Sequence, residues 1–84
     1  MTYVITARHH MYAPAKDITD FAGWDPDARG GNGAPAIYST RADALAALAE
    51  IDSGRYYTRH GESGRPAYRV RTVASLPQYL AVQL

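Results

Sequence analysis

At 84 residues, with no cysteine and a formal net charge of +1, the chain is sized for one domain that packing alone must hold together. That composition excludes disulfides, a thiolate nucleophile and any cysteine-based zinc or iron–sulfur site. No run of 18 apolar residues and no basic-then-apolar leader occurs, so a soluble, unprocessed, cytoplasmic protein with no membrane partner is expected.

The charge is unevenly spread. Residues 1–52 carry four basic and seven acidic side chains and residues 53–84 carry five basic and one acidic, so the two parts stand at −3 and +4. Eight of the nine cations are arginine, which favours planar, bidentate pairing over point-charge contact. Either the two parts pair with each other inside one domain, or each offers its charge outward.

In chain order, residues 2–8 (TYVITAR) set Tyr3, Ile5 and Ala7 on one side and Val4, Thr6 and Arg8 on the other. This period-two pattern, rich in β-branched and aromatic residues, predicts a strand. His9, His10, Met11 and Tyr12 extend it towards Pro14, which lacks a ladder donor. Residues 13–35 hold no steady period and contain four aspartates, three prolines and four glycines, which predicts a long loop. Within it Ile18, Phe21 and Trp24, spaced by three, suggest one helical turn over residues 17–23. Residues 36–38 (AIY) predict a short strand.

The strongest local signal lies at residues 39–54, STRADALAALAEIDSG. Thr40 is placed to cap the N–H of Asp43, and the alanine and leucine run favours a helix. Ala44, Leu48 and Ile51, with Leu45 beside them, form a stripe for burial, and Gly54 offers a left-handed stop. A helix over residues 40–53 follows. A tyrosine-rich strand at residues 55–59, a GESG turn at residues 61–64 and a return strand at residues 66–73 (PAYRVRTV) predict a hairpin. Its second strand puts Tyr68, Val70 and Thr72 on one side and Arg69, Arg71 and Val73 on the other. Ser75 and Gln78 fit a capping box that opens a short helix over residues 76–83. The fold class expected is α+β, one domain over residues 1–84 with a long loop at residues 13–35. Its core is a three- to four-stranded, mainly antiparallel sheet covered on one face by the central helix.

No established catalytic or cofactor motif is present, and neither a cofactor nor a metal is expected. Neighbouring His9 and His10 point to opposite faces of a strand, and the aspartate spacing is not that of a calcium loop. GGNG at residues 30–33 reads as a turn, because no phosphate-loop lysine accompanies it. Two surfaces remain. Asp17, Asp20, Phe21, Trp24, Asp25 and Asp27 join acid to aromatic groups and suggest contact with a protein partner bearing a basic surface. Arg59, Arg69 and Arg71, interleaved with tyrosines, suggest contact with nucleic acid. A catalytic alternative groups Tyr57, Arg59, His60 and Arg71 for acid–base work on RNA, as in a small toxin ribonuclease. A homodimer through an open sheet edge at residues 2–8 or 36–38 is a further expectation.

As a type, the small cysteine-free chain, its strand, helix and hairpin order and its charged, tyrosine-rich surfaces resemble the small proteins carried by phages and mobile elements, including anti-CRISPR inhibitors. The resemblance implies a non-catalytic protein-binding module that inhibits by masking a surface on a partner such as a CRISPR–Cas nuclease complex. It assigns no residue.

Overall fold

The computed structural model describes residues 1–12, 15–52 and 67–84. In chain order the elements are β1 (Tyr3–Tyr12), β2 (Ala15–Phe21), β3 (Trp24–Asp25), a tight turn α1 (Ala28–Gly31), β4 (Ala34–Pro35), α2 (Arg41–Ile51), β5 (Ala67–Thr72), a 3₁₀ turn (Val73–Ser75) and α3 (Gln78–Ala81). The architecture is α+β: a three-stranded antiparallel sheet in the order β2-β1-β5 and a two-stranded ribbon, β3 with β4.

β1 is the central strand. Its pairing with β2 runs from Thr6↔Phe21 to Tyr12↔Ala15, and its pairing with β5 from Tyr3↔Thr72 to Arg8↔Ala67. The period-two reading of residues 2–8 is therefore matched by the strand, but residues 2–8 leave no open edge, since both sides of β1 are paired. Four consecutive β1 residues, Val4, Ile5, Thr6 and Ala7, are buried. Successive strand residues face opposite ways, so material covers this part of β1 on both sides. Among the described residues Ala34 and Pro35 in the ribbon, Ala44 in α2 and Leu80 in α3 are buried as well, and α2 packs against β1 and β5.

The helix α2 begins as its sequence dictates, with the Thr40 hydroxyl accepting the Asp43 N–H at 3.1 Å. Its inward stripe is narrower than the pattern suggests: Ala44 is buried and Leu48 and Ile51 are half-buried, while Leu45 is 46% exposed. Gly54 lies outside the described residues.

Residues 13–35 are not a structureless loop. Residues 17–21 belong to β2, and no helical turn forms over residues 17–23. The reason is tertiary: β1 runs on to Tyr12, its outer N–H and C=O groups need a ladder partner, and the next stretch of chain carries Ile18, Thr19 and Phe21, which suit a strand. The spacing of Ile18, Phe21 and Trp24 by three is thereby overridden. The remainder folds as the β3–β4 ribbon around α1, where Arg29 and Gly30 take left-handed backbone angles (φ 54° and 67°). Residues 36–38 form no strand; Tyr38 instead makes an isolated bridge to Tyr3. Near the C-terminus, Ser75 does not cap the last helix. Its hydroxyl donates to the Thr72 carbonyl at 2.8 Å inside the 3₁₀ turn, and α3 starts after Pro77. The strand expected at residues 55–59 and the turn at residues 61–64 lie outside the described residues.

Candidate functional site

Residues opposite each other in an antiparallel pair project to the same side of the sheet. The two registers therefore put Ile5, Ala7, Ile18, Asp20, Tyr68 and Val70 on one side and Thr6, Arg8, Asp17, Thr19, Arg69 and Arg71 on the other. The first set holds the apolar Ile5, Ala7 and Val70 of β1 and β5 together with Ile18 and Asp20 of β2. The second holds three arginines and Asp17.

On that second side Thr6, Arg8, Thr19, Ala67, Arg69 and Arg71 line an open hollow of about 290 Å³. Its cause is local. Arg69 stands opposite Thr6 and Arg8 opposite Ala67, so each long arginine has a short neighbour across the strand and a trough is left between them. Arg8 and Arg69 are exposed, whereas Arg71 is half-buried and donates through Nη2 to the Ser75 carbonyl at 3.0 Å, which fixes its guanidinium. Among the described residues, no carboxylate lies within ion-pair distance of these three arginines. Asp17, the carboxylate that β2 places on this side, is engaged instead with His10, Oδ1 to Nδ1 at 3.0 Å. The site thus offers guanidinium and hydroxyl groups with no counter-ion among the described residues, a set that suits the oxygens of a phosphate or carboxylate.

The acid and aromatic residues do not gather in one place. Asp17 and half-buried Phe21 lie on the arginine side and Asp20 on the other, where its Oδ1 accepts the Phe21 N–H at 2.8 Å. Trp24 opens the ribbon and is 56% exposed. Asp25 closes a small turn by accepting the Asp27 N–H at 3.0 Å, and Asp27 stands before α1 without a side-chain cap. Gly33 packs beneath the indole: a Cβ there would sit 2.6 Å from Trp24 Nε1.

Of the arginines singled out in the sequence, Arg69 and Arg71 come together and Arg59 lies outside the described residues, as do Tyr57 and His60. Thr6, Arg8 and Thr19 were missed. Alternation already puts Arg8 on the Thr6 side of β1, but only the register of β1 with β5 brings it beside Arg69. Among the described residues, no group of three His, Asp or Glu side chains is placed to hold a metal ion, and no helix is long and apolar enough to cross a membrane. No protein-family model matches the chain, nor does any curated protein or solved structure.

Proposed function

We propose that this chain is a non-catalytic binding module that docks the phosphate backbone of a nucleic acid on the arginine side of its sheet. The observation supporting this is the convergence of Arg8, Arg69 and Arg71, with Thr6 and Thr19, around one hollow of about 290 Å³. Small-molecule pockets run from roughly 300 to 1,000 Å³, so this space suits a phosphate with its sugar as part of a longer strand. Three guanidiniums on one side also attract phosphate more strongly than a net charge of +1 suggests, because Asp17, the β2 carboxylate on that side, is engaged with His10.

Fluorescence anisotropy with single- and double-stranded oligonucleotides over a salt series tests the reading. The logarithm of the association constant is expected to fall against the logarithm of salt with a slope of roughly −2 to −3, at about 0.7–0.9 per neutralised phosphate. Arg8→Gln, Arg69→Gln and Arg71→Gln each flatten that slope by about one such step. Binding that is absent or indifferent to salt overturns it.

A second reading, inhibition by masking a surface on a protein partner such as a CRISPR–Cas nuclease complex, is favoured by Trp24. This large aromatic is 56% exposed and is followed by the exposed Asp25 and Asp27. A variant combining Trp24→Ala, Asp25→Ser and Asp27→Ser should then lose a co-purifying protein while retaining oligonucleotide binding. Unchanged recovery of that protein disposes of the second reading.

A further inference from the structure

We infer that the outer edge of β2 is a dimerisation edge, on which two copies of this chain join their sheets about a two-fold axis through Ile18. β2 lies at one end of the order β2-β1-β5, and among the described residues it pairs with β1 alone. The phase of its ladder follows from the Ala22 N–H, which donates to the Ile5 carbonyl at 3.0 Å. Even-numbered residues of this stretch therefore bond towards β1, and the N–H and C=O groups of residues 15, 17, 19 and 21 point outward.

A symmetric antiparallel pair must set these odd-numbered residues against one another, and the sequence AKDITDF discriminates among the registers that do so. With Ile18 opposite its own copy all seven residues pair, Lys16 faces Asp20 twice and Asp17 faces Thr19 twice. Centring the pair on Asp17 or on Asp20 sets like charges against each other. Centring it on Thr19 puts Ile18 against Asp20 and Asp17 against Phe21. Opposite charges across strands stabilise and like charges destabilise, so only the Ile18 register is self-complementary. Ile18, Lys16 and Asp20 are all exposed in the single chain, and Ile18 is a large apolar side chain on that open edge. Asp20 Oδ1 accepts the outward N–H of Phe21 at 2.8 Å there. Pairing hands that N–H to the carbonyl of residue 15 of the second copy and releases the carboxylate for Lys16 of the second copy.

The axis stands perpendicular to the sheet, so the arginine sides of both copies face the same way, with the two β1 strands three strand spacings apart, roughly 14 Å. The inference rests on the edge and stands even where the phosphate reading fails.

The chain has no cysteine, so Ile18→Cys supplies a single reporter. Opposite residues of a non-hydrogen-bonded pair have Cα atoms about 4.5 Å apart, within disulfide reach. Lys16 and its copy are offset by about four residues, roughly 14 Å. Mild oxidation is expected to link Ile18→Cys into a covalent dimer and to leave Lys16→Cys unlinked. In sedimentation equilibrium, Lys16→Asp should lower the association constant roughly tenfold, and adding Asp20→Lys should restore it. Equal linking of the two cysteine variants, a monomer throughout the concentration series, or failure of the charge swap with an unchanged circular dichroism spectrum overturns the inference. Where a charge variant does not fold, the cysteine pair decides alone.

Discussion

The two ends of β1 share one backbone and meet opposite surroundings. From Val4 to Ala7 every side chain is buried, so core stands on both sides of the strand. From Arg8 to His10 the exposed Arg8 and His10 alternate with half-buried His9, and the arginine hollow opens on one side of the sheet. The difference teaches that one strand can hold the domain together with its first residues and present a surface with its last. Stability and binding should therefore separate by residue number.

The largest expected effect tests that separation directly. Ile5 is 1% exposed, and truncating a buried side chain of this size removes its transfer energy and leaves a cavity, so Ile5→Ala should cost about 2–5 kcal/mol. Arg8, three residues on, is exposed, and Arg8→Gln should shift stability by no more than about 0.5 kcal/mol while weakening oligonucleotide binding. Urea denaturation of the two variants beside the parent reads both numbers. Equal losses would mean that the open end of β1 is as much core as the packed end.

A smaller effect probes what covers the packed end. The stretch from Ala22 to Tyr38 is tied there by the Ala22 N–H to the Ile5 carbonyl and by Tyr3 and Tyr38 exchanging two backbone hydrogen bonds of 2.8 Å. Inside it Gly33 has φ 83°, a left-handed angle that side chains rarely adopt, and its Cα hydrogen side faces the Trp24 ring. Gly33→Ala adds both backbone strain and a clash with Trp24 Nε1, with a loss of about 1–3 kcal/mol. Trp24 is the sole tryptophan, so its emission reports the ring's displacement specifically. Oligonucleotide binding should stay at the parent level, and a fall in it would show that ribbon and hollow are coupled.

What could be read from the chain follows the range of each interaction. β1, α2 and β5 rest on rules that act within a few residues: alternation in residues 2–8 and 66–73, and the Thr40 cap on Asp43. β2 does not. Its stretch AKDITDF also spaces Ile18 and Phe21 for a helical turn, and only the unpaired length of β1 decides between the two. The hollow was half legible for the same reason. Arg69 and Arg71 share a side by alternation, but Arg8 and Thr19 join them through the registers of two strand pairs, which no local pattern carries. The contact of Trp24 with Gly33 spans a turn built on left-handed residues and left no periodic trace.

The smallest effect is confined to alkaline pH and again concerns the packed end. Burial, and secondarily the negative charge of Glu50, raise the Tyr38 phenol above its ordinary value of 10.0. The fold thus favours the neutral phenol, and the sign follows: this stabilisation is fully present below about pH 10 and is lost as pH rises through the higher folded-state value. The unfolding free energy of the parent minus that of Tyr38→Phe should therefore be flat from pH 7 to about pH 9.5 and decline above it. Whatever the other tyrosines contribute is common to both proteins and cancels in that difference. A difference that stays flat beyond pH 11 would mean that the Tyr38 ring is as accessible in the folded chain as in the unfolded one, and that the bridge to Tyr3 leaves the packed end of β1 open to water.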